Sequence, residues 1–263
     1  MSEGFHKVGG GRIFWQDDGA GAPVVLLHGF GLDRRMWDDQ VASLARRYRV
    51  IRYDMRGYGR SSMPGAEAYS HADDLDALLS GLGATPAHVV GLSNGGRTAL
   101  RFALAYPAAT RSLTLVDAAL DGHGWSSDWQ TLWGAIDRTA KSGDVEGAKR
   151  LWLEHPLFAA ARSQPAVASR LAAIVGDYSG WHWVNPDPGT AAGGPAITRL
   201  AEIRMPTLVV VGQRDLADFH AVAGTLASGI AGAVRVEVPN AGHMVNMEAP
   251  AAFNRVLADF LPS

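Results

Sequence analysis

The sequence predicts an α/β fold: a mostly parallel, doubly wound sheet that opens on an antiparallel hairpin and carries an inserted helical segment. Three observations predict it. Short apolar runs recur along the chain, helix-length stretches separate them, and one long segment breaks the alternation. Residues 4–8 and 12–16 flank Gly9-Gly10-Gly11, a hairpin signal. Residues 24–27, 48–53, 88–90, 112–116, 207–211 and 234–238 are short apolar runs of the kind that become parallel strands covered on both faces. Between them, residues 36–46, 71–82, 95–105, 218–230 and 249–260 read as helices. From about 121 to 197 the chain is helical or loop-like without a convincing strand. The expected division is therefore a core of residues 1–120 and 198–263 with a helical cap subdomain over 121–197.

The chain has 263 residues, 47% of them hydrophobic and 19% charged, the balance of an ordinary globule large enough to bury a core. A net charge of −2 without a long basic run leaves no electrostatic footprint for nucleic acid or for an anionic membrane surface. There is no cysteine, which removes disulfides, cysteine-based zinc sites and a thiolate nucleophile together. The first residues, MSEGFHKVGGGRIFW, lack the continuous apolar stretch of a signal peptide, and no stretch approaches the ~20 apolar residues that span a bilayer. A cytoplasmic protein with a small-molecule partner is expected; the sequence says nothing about oligomeric state.

Gly91-Leu92-Ser93-Asn94-Gly95 has the form Gly-x-Ser-x-Gly, weak by itself in a chain with 31 glycines. Its position between a strand and a helix makes it specific. A serine on a sharp strand-to-helix turn is strained and exposes its hydroxyl, and the following helix turns its N-terminal amides toward developing negative charge. A serine hydroxyl is a poor nucleophile until a base takes its proton. His243, just past the last strand in Ala241-Gly242-His243, is the expected base. A buried carboxylate must fix that imidazole's tautomer. Asp215, just past the strand at 207–211, is the expected acid, with Asp117 and Asp121 at another strand end as runners-up. Loops at the carboxyl ends of parallel strands gather at one edge, so Ser93, Asp215 and His243 can meet there.

The order Ser, Asp, His, together with His28-Gly29-Phe30-Gly31, residues 54–61 (Asp-Met-Arg-Gly-Tyr-Gly-Arg-Ser), the serine turn, Gly212 to Asp215 and Ala241-Gly242-His243, resembles the α/β-hydrolase superfamily over the whole chain. Within it, the chain looks closest to the esterase and 3-oxoadipate enol-lactonase-like members. The resemblance implies an α/β-hydrolase fold and an oxyanion hole from the backbone N–H groups of Phe30 and Asn94. It also implies hydrolysis of carboxylic esters or lactones through an acyl-serine, without cofactor. Alternatives are C–C bond hydrolysis or perhydrolysis with the same triad, or a ligand-binding receptor with little turnover, since fold alone does not choose the reaction. Dehalogenase and epoxide hydrolase chemistry are disfavoured because Ser93 stands where those relatives place an aspartate.

Six of the eight tryptophans, Trp125, Trp129, Trp133, Trp152, Trp181 and Trp183, fall in the inserted segment. About half are expected to line an apolar substrate pocket; Trp125, Trp129, Trp181, Trp183 and His182 are the candidates for substrate contact. His28, Asp54 and Arg56 are expected to brace loops, and Asp218 to cap or brace the helix it begins. Gly29-x-Gly31 has Arg34 where a dinucleotide fold wants a third small residue. With no Gly-Lys-Ser/Thr loop and no His-Glu-x-x-His helix, neither a nucleotide nor a metal is indicated.

Overall fold

The computed structural model describes residues 1–190 and 193–262. Among the described residues, eight strands form one sheet: β1 Ser2–Val8, β2 Gly11–Gly19, β3 Pro23–Leu27, β4 Arg49–Tyr53, β5 Ala87–Leu92, β6 Thr110–Val116, β7 Thr207–Gly212 and β8 Val234–Val238. Their order is β1-β2-β4-β3-β5-β6-β7-β8. β2 is antiparallel to β1 and β4, and the remaining pairs are parallel. The expected hairpin and every expected strand are present, their ends differing by at most three residues. The chain lays β4 on one side of β3 and β5 on the other, so the sheet reverses its winding between β3 and β5. Crevices form at such a switch point, outside the carboxyl ends of the strands.

The apolar runs are explained by burial on both faces. All six residues of β5 and of β7 are buried, whereas β8 lies at the sheet edge and exposes Val234. The helices are α1 Asp38–Leu44, α2 His71–Gly81, α3 Asn94–Ala105, α4 Ser127–Lys141, α5 Val145–Glu154, α6 Ala159–Arg162, α7 Pro165–Asp177, α8 Trp181–Val184, α9 Ala217–Gly229, α10 Val245–Glu248 and α11 Pro250–Phe260. The helix expected over 36–46 is divided. The Asp33 carboxylate accepts from Arg35 N and opens a 3₁₀ turn, Arg34–Trp37, before α1 begins.

The β6–β7 insertion carries α4 to α8. Its apolar residues, including Ile136, Trp152, Leu171 and Trp183, join the cluster that packs the sheet. Among the described residues, one isolated parallel β-bridge, Tyr69 with Gly189, joins the insertion to the loop before α2. No helix among the described residues is long and apolar enough to cross a membrane.

Candidate active site

β5 ends at Leu92 and α3 begins at Asn94, so Ser93 alone makes the turn. Its φ of 56° lies in the left-handed region that L side chains avoid. The neighbours enforce it. Ser93 N donates to Val116 O at 2.9 Å, and Ser93 O accepts from Arg97 N and Ala119 N at 3.0 Å each. Gly95 allows the loop after β3 to lie against the turn, because a Cβ there would strike the carbonyl oxygens of Leu27 and His28. That contact brings Phe30 near the start of α3, and Phe30 and Asn94 line the same cavity.

Asp215 and His243 come together on adjacent loops. The loops after β7 and β8 are stitched by Gln213 N to Val238 O at 3.0 Å and Arg214 N to Ala241 O at 2.8 Å. Gly212 permits the approach, since a Cβ at Gly212 would meet the backbone of Ala241 and Gly242. His243 Nδ1 donates to Asp215 Oδ2 at 2.8 Å, with both side chains almost fully buried. Asp215 Oδ1 accepts from Leu216 N at 2.7 Å. With the proton on Nδ1, Nε2 keeps its lone pair for a donor on the other side. Glu248 steadies the histidine loop by accepting from Gly242 N at 2.5 Å and Met244 N at 3.0 Å; burial raises its pKa above the usual carboxylate range. Ser93 and His243 share this edge, yet no hydrogen bond joins them among the described residues. Catalytic bonds of this kind are often long before substrate tightens them.

Ser93 opens into a cavity of roughly 800 Å³. Trp125, Trp129, Trp133 and Trp152 line it with Phe30, Asn94 and Phe219. Trp125, Trp129 and Trp133 are spaced by one turn of helix around the start of α4, so their indoles repeat on one face. Trp125 stacks on Trp129 at 4.7 Å, and Trp129 lies nearly parallel to Trp133 at 6.3 Å. Phe219 connects cavity and base, its ring centroid 4.3 Å from that of His243. A second, more polar cavity of roughly 470 Å³ adjoins through Phe30, Asn94 and Arg97.

Several expected residues stand elsewhere. Trp183 is buried and packs on Tyr178 and Phe30, outside the lining of the Ser93 cavity. Trp181 also lies outside that lining, its ring edge on His182. Both sit on the single turn of α8, which points one indole inward as packing and leaves the other half-buried. His182 lines the second cavity instead, where burial lowers its pKa to about 4. Asp218 does not cap α9: its carboxylate accepts from Ser126 N at 3.0 Å and Ser126 Oγ at 2.7 Å, tying the insertion to the core where α4 starts. Asp121 is held by Arg101 at 2.5 Å. Asp54 accepts from Arg34 N, Arg34 Nη1 and Arg60 N, and Arg56 is paired with Asp74, so both brace loops. His28 accepts from Met55 N at 2.9 Å through Nε2, which places its proton on Nδ1, facing Gly29 O at 2.8 Å.

Trp133, Trp152, Phe219 and Glu248 are site residues outside the expected set of individual contacts. The first two belonged to the tryptophan group, and their register on α4 and α5 was the available signal. Phe219 and Glu248 carried none, since only the packing of α9 and α10 brings them to His243. Asp117 was expected only as an alternative acid, but it stands beside Asp215. One polar atom each of Asp117, Asp215 and His243 lie within 4.8 Å of one another. A cation could be shared by such a group; here Gly212 N, Leu216 N and His243 Nδ1 already donate to three of the four carboxyl oxygens.

The family model for the alpha/beta hydrolase fold matches residues 22–250. A protein of Azorhizobium caulinodans named RutD, with carbamate hydrolysis as its provisional activity, is 30% identical over 268 residues, 96% of either chain. A 2-hydroxy-6-oxononadienedioate/2-hydroxy-6-oxononatrienedioate hydrolase of Cupriavidus pinatubonensis is 30% identical over 95% of this chain and 90% of its own. The crystal structure of the enol-lactonase from Burkholderia xenovorans superposes with a TM-score of 0.84 at 26% identity, covering 98% of this chain and 99% of that one.

Proposed function

The chain belongs to the alpha/beta hydrolase fold family, whose relatives named above are hydrolases, and from that premise we propose that it hydrolyses carboxylic esters or lactones through an acyl-serine intermediate, without a cofactor. The observation that carries this reading is the buried 2.8 Å bond from His243 Nδ1 to Asp215, on the same strand edge where Ser93 opens into an aromatic cavity.

His243 Nε2 takes the Ser93 proton as Oγ attacks the substrate carbonyl. The amides of Phe30 and Asn94 meet the oxyanion, each donor worth about 3 kcal/mol of barrier lowering. The imidazolium, paired with Asp215, protonates the leaving oxygen, and the neutral ring then activates water to release the acid. The insertion over 121–197 acts as the cap, and its stacked Trp125, Trp129 and Trp133 favour a partly apolar acyl or leaving group.

A second reading, hydrolysis of a C–C bond beside a carbonyl, is favoured by the 30% identity to the Cupriavidus hydrolase. A panel of aryl esters, lactones and vinylogous C–C substrates, run on wild type and Ser93→Ala, decides between them. Turnover of esters or lactones that is lost in Ser93→Ala is the expected result. Turnover of C–C substrates alone selects the second reading, and one slow turnover with tight retention of ligand indicates a receptor.

A further inference from the structure

Asp117 follows β6 and is wholly buried, with a φ of 41° held by its N–H to Val210 O at 2.8 Å. Its Oδ1 accepts from Gly212 N at 2.8 Å, whereas its Oδ2, equally buried, has no hydrogen-bond partner. Across from it, both Asp215 oxygens are occupied, by Leu216 N and by His243 Nδ1. The groups that face this pair are His243 after β8, Glu248 from α10 and, beyond the imidazole, His155 at the end of α5. No lysine or arginine forms an ion pair with Asp117, Asp215 or Glu248 among the described residues. Two carboxylates this close in a buried site without a cation do not both ionise. Of the four oxygens, Asp117 Oδ2 is the one to which no N–H points, so the shared proton belongs there.

We propose that Asp117 is a positioning residue: a neutral carboxylic acid whose Oδ2–H donates to Asp215, so that the two carboxyl groups carry one negative charge and Asp215 is held as the acceptor for His243. The proposal rests on the reading of Asp215 and His243 as acid and base. Burial, and next the charge of Asp215, push the Asp117 pKa well above the carboxylate range, in the same direction as the geometry. The strained backbone at Asp117 then has a purpose, since it turns a second carboxyl toward the acid.

Two measurements test it. Asp117→Asn keeps an acceptor for Gly212 and supplies an N–H where the acid proton stood. Its kcat/KM on an aryl ester should stay within about threefold of wild type, with the acid limb of the pH profile moved by less than about 0.3 pH units, whereas Asp215→Asn should lose about 10⁴-fold. An acid limb displaced by a full unit, the response to deleting a charge beside His243, overturns the proposal, as does a loss equal to that of Asp215→Asn. Infrared difference spectra at pH 7 read the proton directly and need no turnover. Wild type minus Asp117→Asn should show the C=O stretch of a neutral carboxylic acid; carboxylate bands in its place overturn the proposal. If Ser93→Ala leaves activity intact, the acyl-serine reading fails, and the infrared result still decides the protonation of Asp117.

Discussion

Two walls bound the cavity at Ser93, and they are built in opposite ways. The sheet-side wall is backbone: a serine in a left-handed conformation, glycines whose Cβ would collide with neighbouring carbonyls, and loops tied to one another through main-chain amides. The insertion-side wall is side chain: the indoles of Trp125, Trp129 and Trp133 stack and remain only half-buried, with buried Trp152 beside them. Reaction geometry tolerates errors below an ångström, so it is held where displacement meets covalent backbone. The contour that selects a substrate is made of rings that can be exchanged without moving the sheet.

The largest expected effect tests the first wall. Ser93→Ala should lower kcat/KM by about 10³ to 10⁶-fold with the circular dichroism spectrum unchanged. Retention of more than a hundredth of the activity would show that the strained turn is scaffold only. Next comes the backbone itself. Gly95→Ala forces its Cβ into the loop after β3, and overpacking of this kind costs about 1–3 kcal/mol or more, read as a lower Tm together with lost activity. A stable, active Gly95→Ala enzyme would break the contrast.

The insertion wall should respond differently at its two kinds of tryptophan. Trp129→Ala is expected to raise KM for aryl-acyl esters about tenfold with a smaller change in kcat, because it removes uniform binding. Trp183→Ala is expected to cost about 3–5 kcal/mol of stability, as a buried ring outside the cavity lining does. Equal KM effects at both positions would erase the distinction between lining and packing.

The smallest effect concerns acid. Burial lowers the pKa of His155 and His182 in the insertion, and of His88 at the start of β5, to about 4 each. The unfolded chain takes up these protons near the ordinary ~6.5 and the folded chain refuses them, so their stabilisation is complete above ~6.5 and is lost as pH falls toward 4. Asp74 and Glu248, whose pKa values burial raises, act in the opposite sense and partly offset this. Tm should fall between pH 7 and 5, and His155→Gln should make that fall shallower. An unchanged slope would place the sensitivity elsewhere.

Much of this was legible in the residues. Apolar runs of three to six residues mark strands because burial on both faces in the middle of the sheet requires them, and each expected strand is present. The turn at Gly91 to Gly95 was readable because glycine two residues either side of a serine, between strand and helix, has a local steric meaning. The division at α1 was not, since it depends on the Asp33 carboxylate reaching Arg35 N. Nor was Asp218, whose partner Ser126 is distant in sequence and near only after β6 and β7 pair.

The sequence by itself determined the sheet, the strand ends that carry Ser93, Asp215 and His243, and the aromatic character of the insertion, because periodicity and turn chemistry act over a few residues. Only the tertiary structure decided which indoles face the cavity, that Glu248 steadies the histidine loop, and that Asp117 stands against Asp215. Those relations depend on how separate strands and helices pack, and the range of a local pattern does not reach from one element to another.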